Sequence, residues 1–154
     1  MKYSLIIVCI LSGMFSMAQN VDPELEEKDL IMYYRGETEP YTGPCVGYYE
    51  NGQKGKEGQY VGGRMEGTWT WWYDTGQKKK EGVYIKGKKD GLWVDWFKNG
   101  SKRSATTYKM DVLDGESAWW YENGNKKKVS IYKNGVFQNK IEWDTEGNKL
   151  SGSF

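Results

Sequence analysis

The sequence predicts an all-β fold, an elongated antiparallel sheet built from tandem 24-residue β-hairpin repeats. Three observations carry this prediction. Turn-type dipeptides return on a fixed period: Asn51-Gly52, Thr75-Gly76, Asn99-Gly100, Asn123-Gly124 and Glu146-Gly147, with glycines 24, 24, 24 and 23 residues apart. Aromatic residues and a second glycine series (Gly43, Gly67, Gly91, Gly115) keep the same period. No window shows the 3.6-residue apolar periodicity of a helix, apart from the short acidic stretch Glu24 to Leu30. One period held in so many registers marks a repeat architecture, in which each unit buries its apolar face against its neighbours.

The elements follow in order. Residues 1–18 read as a secretory signal peptide: Lys2 precedes an apolar run from Leu5 to Phe15, and Ser16-Met17-Ala18 supplies small residues before a cleavage site. Export through the secretory pathway is therefore expected, to the periplasm, the cell surface or the medium. Cleavage removes Cys9 and leaves Cys45 alone, so no internal disulfide is expected and the thiol is read as buried and inert. Residues 19–29 form an acidic N-terminal tail. Residues 21–40 carry seven acidic and two basic side chains, against 14 acidic and 19 basic ones over residues 41–154. Residues 30–154 form the repeat domain.

Within a repeat, the Asn-Gly type of dipeptide flanked by aromatic and β-branched residues predicts a hairpin closed by a type I′ turn. Trp69 to Tyr73 is read as one strand and Lys78 to Ile85 as its partner, joined through Thr75-Gly76. The segment Lys86 to Asp90 is read as the second turn, leading into the next hairpin. Five hairpins at about 10 Å each give a sheet roughly 50 Å wide.

This architecture accounts for an unusual composition. Past residue 20 the chain has 22 aromatics but only 17 Ile, Leu and Val. A thin sheet with no second layer offers little depth to aliphatic side chains, whereas each broad ring covers about 150–250 Å². Tyr48, Trp72, Trp96, Trp120 and Trp143 stand four positions before the turn glycines Gly52, Gly76, Gly100, Gly124 and Gly147, and Tyr60, Tyr84, Tyr108 and Tyr132 stand eight positions after the first four. A residue required by every repeat is read as architectural, stacking on its equivalent in the next hairpin. The column Gly47, Trp71, Asp95, Trp119 is different, because the scaffold accepts Gly or Asp there. Trp71 and Trp119 are accordingly the candidate partner-binding residues, exposed Trp being a favoured anchor. The runs Lys78-Lys79-Lys80 and Lys126-Lys127-Lys128 are read as solvent-facing positions that keep the sheet soluble and block edge pairing.

Chemistry is not expected. The chain has no histidine, which removes the commonest general base and imidazole metal ligands. Glu66, Asp90, Asp95, Asp114 and Glu116 are scattered, and nothing in their spacing converges two of them across a cleft. No enzyme activity, cofactor or metal is expected. A charge balance near zero in the mature chain argues against nucleic acid as a partner.

The pattern Gly-x-Trp-x-x-Trp-Tyr-x-x-Gly-x-Lys followed by Gly-x-Tyr, seen from Gly67 to Tyr84 and in part from Gly91, resembles the variant MORN repeat. The lead-in Tyr33-Tyr34-Arg35-Gly36, then Glu39-Pro40-Tyr41-Thr42-Gly43 and Tyr48-Tyr49-Glu50-Asn51-Gly52, further resembles the YwqK-family bacterial antitoxins. The resemblance implies a curved sheet of hairpins with a non-catalytic, partner-binding role. The expectation is an exported repeat scaffold that binds another protein, of the antitoxin or immunity kind. Two alternatives keep the same scaffold: a carbohydrate-binding surface of stacked rings, and an association with an anionic membrane surface through lysines and aromatics.

Overall fold

The computed structural model describes residues 5–8 and 25–152. The described strands are β1 (Leu5–Val8), β2 (Leu25–Lys28), β3 (Ile31–Tyr34), β4 (Gly43–Tyr49), β5 (Lys54–Val61), β6 (Arg64–Trp72), β7 (Lys78–Ile85), β8 (Lys88–Trp96), β9 (Lys102–Lys109), β10 (Val112–Trp120), β11 (Lys126–Lys133), β12 (Val136–Trp143) and β13 (Lys149–Ser151). β4 to β13 pair strictly in chain order as an antiparallel meander, and β1 pairs with β4 at its edge. The fold is all-β, as the repeat predicts. Most of the leader, residues 1–18, lies outside the described residues, as does residues 19–24 of the acidic tail.

The two kinds of turn are exchanged relative to the sequence reading. At the Asn-Gly sites only the glycine has positive φ, for example Gly76 at +86°. The Gly76 amide donates to the Tyr73 carbonyl at 2.9 Å, and the Tyr73 amide donates to the Gln77 carbonyl at 2.8 Å. This is a three-residue loop, a type I turn closed by a glycine in the left-handed region, and not a type I′ turn. The paired positive φ values that define type I′ lie instead at Gly62-Gly63, Lys86-Gly87, Met110-Asp111 and Asn134-Gly135. The second turn is thus only two residues long, and β8 already begins at Lys88.

Between the turns the strands are bulged, opposite Gly58 in β5, Gly82 in β7 and, one residue further along the repeat, Thr107 in β9. Glu57 faces Thr70 and Gln59 faces Glu66, so three residues of β6 lie opposite Gly58 alone. The next repeat does the same, with Glu81 facing Val94 and Val83 facing Asp90. In the last repeat Ile131 faces Asn139 and Tyr132 faces Phe137, leaving a single extra residue, Gln138. That bulge is one residue shorter, which is why the final period is 23 and not 24.

Hydrogen bonds staple each hairpin to the next along both rims. At the three-residue loops, Asn51 accepts from the Gln53 amide and donates through Nδ2 to the Asp74 carbonyl at 2.8 Å. Asn99 and Asn123 repeat this link to Glu122 and Thr145. The tyrosine that opens the loop also reaches across: Tyr49 and Tyr73 donate from their hydroxyls to the Trp72 and Trp96 carbonyls, each at 2.7 Å. At the two-residue turns a carboxylate caps the turn that follows: Glu66 accepts from the Lys86 amide, Asp90 from Met110 and Asp114 from Asn134. Three carboxylates that sequence spacing left unassigned are therefore part of the ladder.

Of the acidic stretch Glu24 to Leu30, the described residues 25–30 are not helical. Leu25–Lys28 pairs with Ile31–Tyr34 in a separate two-stranded sheet, turned at Asp29-Leu30. Leu25, Met32 and Tyr34 pack on the buried cluster of Tyr41, Cys45, Tyr60 and Trp69. A short second layer thus covers one end of the long sheet, and Cys45 is fully buried beneath it.

Candidate functional site

Cross-strand pairing divides the aromatics between the two faces of the sheet. On the first face, Tyr60 meets Trp69 edge-on at 5.0 Å and Tyr84 meets Trp93 at 4.8 Å. Trp71 lies between Trp69 and Trp93, with centroid distances of 5.8 and 5.9 Å. The indole N–H groups of Trp69 and Trp93 donate to the Gln59 and Val83 carbonyls at 3.1 and 3.2 Å. These rings lie flat over glycine: a Cβ built on Gly58 falls 2.2 Å from the Trp69 ring, and one on Gly82 falls 2.2 Å from the Trp93 ring.

On the second face the repeated tryptophans do not stack on one another as expected. Lysines lie between them: Lys54 Nζ stands 5.3 Å from the Trp72 centroid, Lys78 Nζ 5.4 Å from Trp96, and Lys126 Nζ 6.0 Å from Trp143. Lys79 and Lys127 cover Tyr73 and Tyr121 in the same way. The lysine runs therefore serve as cation–π partners on the interior strands β7 and β11, which have no edge to protect.

The ring packing of the first face ends abruptly. The column that supplies Cys45, Trp69 and Trp93 continues as Ser117, and the column under it, Gly58 and Gly82, continues as Thr106. Thr106 and Ser117 share a buried hydrogen bond of 2.9 Å. Where glycine supported a ring, two buried hydroxyls now meet, and Thr106 borders open space. In the second column Asp95 replaces a tryptophan. The two omissions coincide and leave a notch of about 190 Å³ lined by Lys80, Lys89, Trp93, Asp95, Arg103, Ser104, Thr106, Tyr108 and Trp119.

Register places the two candidate tryptophans on one row across the sheet. Trp71 faces Lys80, Lys80 faces Asp95, Asp95 faces Ser104, Ser104 faces Trp119, and Trp119 faces Lys128. Four strand spacings separate the two rings, about 19 Å. Their environments differ. Trp71 is half-buried as a wedge in the ring cluster, whereas Trp119 is 38% exposed at the lip of the notch. Its indole N–H donates to Ser117 Oγ at 3.3 Å, and Lys128 Nζ stands 5.9 Å from its ring.

Asp95 anchors the polar side of the notch. Its Oδ2 accepts from Ser104 Oγ at 2.8 Å, while Lys80 Nζ and Arg103 Nη2 stand 3.5 and 3.7 Å from Oδ1. Lys89 Nζ sits between the Trp93 and Tyr108 rings, 4.9 and 5.1 Å from their centroids. Burial pushes the Tyr108 hydroxyl above its ordinary pKa, with Asp95 and Asp111 adding to the shift. Burial also raises Tyr84, again with a contribution from Asp111. Among the described residues no three His, Cys, Asp or Glu side chains are grouped to hold a metal ion. Sequence reasoning named Trp71 and Trp119 as candidates and did not group Lys80, Lys89, Asp95 and Arg103. The signal was the Asp95 and Ser117 substitutions in adjacent columns, which become neighbours only through the register.

A family model described as MORN repeat variant matches residues 65–86 and 113–134. No curated protein matches the chain. The two matched segments begin 48 residues apart, two periods of the repeat, and the unmatched unit between them has the same paired strands, bulge and turns. The chain therefore carries variant MORN repeats at these two places, within a longer run of hairpins built to the same plan.

Proposed function

We propose that the protein is an exported, non-enzymatic repeat scaffold that binds another protein through the first face of its sheet, in the manner of an antitoxin or immunity protein. The exposed Trp119 at the lip of the notch is the observation that carries this reading. An aromatic anchor beside charged side chains is the usual composition of a binding hot spot. Variant MORN repeats fit such a scaffold. The carboxylates support it too, since Glu66, Asp90 and Asp114 cap turns and Asp95 is held by Ser104, Lys80 and Arg103. A saccharide platform is less well supported: Trp69 and Trp93 are almost wholly buried, so the rings do not form a continuous exposed row.

Capture from the envelope of the producing cell, with the wild-type chain and Trp119→Ala as baits, tests the proposal. A protein retained by the wild type and lost, by tenfold or more, with Trp119→Ala is the expected result. Retention on a polysaccharide column with no protein captured would overturn it, as would liposome binding that disappears at high salt.

A further inference from the structure

We infer that the notch beside Trp119 receives one carboxylate side chain, Asp or Glu, of the protein partner; this deepens the protein-binding reading and rests on it. The first argument is charge. Lys80, Lys89 and Arg103 line the notch against the single carboxylate of Asp95, for a local balance of +2. That excess is local, in a chain whose overall formal charge is only +1. A concave site of one sign concentrates ligands of the opposite sign.

The second argument is donor capacity. Lys80 and Arg103 approach Asp95 at 3.5 and 3.7 Å, which is within ion-pair range but beyond a hydrogen bond for nitrogen to oxygen. Lys89 forms no ion pair among the described residues; its ammonium rests between two rings. Three cationic groups thus converge on one space with hydrogen-bonding capacity beyond what Asp95 takes up. A second carboxylate there would gain charge-assisted hydrogen bonds that Asp95 does not make.

The third argument is size and lining. A volume of about 190 Å³ is smaller than the sites that enclose drug-sized molecules, roughly 300–1,000 Å³, and suits a single side chain. Trp93 is only 3% exposed and presents no open ring face for a sugar to stack on. Trp119 supplies an apolar lip that excludes water from an ion pair formed beneath it, as hot-spot surroundings do.

The test titrates the whole isotopically labelled protein with the peptides Ac-Leu-Glu-Leu-NH2 and Ac-Leu-Gln-Leu-NH2, following the indole N–H resonance of Trp119. The Glu peptide is expected to shift it saturably, and the Gln peptide to bind at least tenfold more weakly. Lys80→Gln with Arg103→Gln should weaken the Glu peptide at least tenfold. Asp95→Asn, which removes the competing carboxylate, should tighten it severalfold. Equal response to both peptides, or weaker binding to Asp95→Asn, would overturn the inference. A shift with glucuronate and none with the Glu peptide would also overturn it, in favour of an acidic sugar. The two readings fail separately. Protein capture lost in Trp119→Ala but intact in the Lys80→Gln/Arg103→Gln variant sinks the carboxylate inference alone, whereas a selective Glu-peptide response with no captured protein sinks the protein-binding reading.

Discussion

The two halves of the first face solve one packing problem in two ways. In the N-terminal half, Gly58 and Gly82 lie beneath Trp69 and Trp93, so the face is filled by rings resting on bare backbone. In the C-terminal half, Thr106 and Ser117 occupy the matching positions and meet through a hydrogen bond. The strand order is shared, but the bulge opposite Gly58 and Gly82 moves one residue, to Thr107, so that Thr106 pairs directly with Ser117. A glycine permits a ring to lie flat, and a ring requires the glycine. Where both partners differ, the strand order is kept, the bulge moves by one residue, and apolar filling gives way to an opening. The site lies on the seam where one solution gives way to the other.

Removing a ring should expose this asymmetry most strongly. Trp69→Ala empties a fully buried position and should cost about 3–5 kcal/mol in chemical denaturation. Trp119→Ala, at the lip of the notch, should stay within about 0.5 kcal/mol of wild type while losing partner binding. Equal losses at the two sites would break the distinction between architectural and functional tryptophan.

Converting one half into the other gives the next largest effect. Ser117→Trp alone sets a ring against the Thr106 side chain and should destabilise by about 1–3 kcal/mol, through overpacking and loss of the buried hydrogen bond. Adding Thr106→Gly should recover most of that loss and fill the notch, abolishing the Glu-peptide response of the Trp119 indole. A double variant no more stable than the single one would refute the pairing of ring with glycine.

A smaller effect sharpens the comparison at the turns. Met110 and Asp111 both have positive φ, 52° and 72°, where the other two-residue turns of the long sheet use Gly62-Gly63, Lys86-Gly87 and Asn134-Gly135. Met110→Asn places a residue that tolerates this conformation and keeps the amide that donates to Asp90. It should stabilise the chain by about 0.5–1 kcal/mol, seen as a higher denaturation midpoint with unchanged slope.

Much of the fold was legible because a 24-residue period repeats every local decision. Both ends of β7 follow from one unit and its equivalents β9 and β11 inherit them, whereas β6, read as Trp69 to Tyr73, runs from Arg64 to Trp72. The turn types were misread because dipeptide signals do not count loop residues: Thr75-Gly76 has the composition of one turn and the hydrogen bonds of another. The β2–β3 hairpin was illegible for a different reason. Leu25, Met32 and Tyr34 become apolar partners only when folded over Tyr41 and Trp69, and the acidic residues around them hide the pattern.

By itself the sequence determined the all-β repeat, its period, the turn positions and Trp119 as an aromatic that the architecture does not demand. These are properties of local spacing, and local conformational preference is written residue by residue. The tertiary structure alone decided that Asp95 faces Ser104, that Ser104 faces Trp119, and that Lys80, Lys89 and Arg103 gather on the same space. Which side chains share a face depends on register, and each bulge shifts that register by whole residues. The reversed ratio of aromatics to aliphatics is thus mostly architecture. The candidate site is where that architecture leaves two rings out.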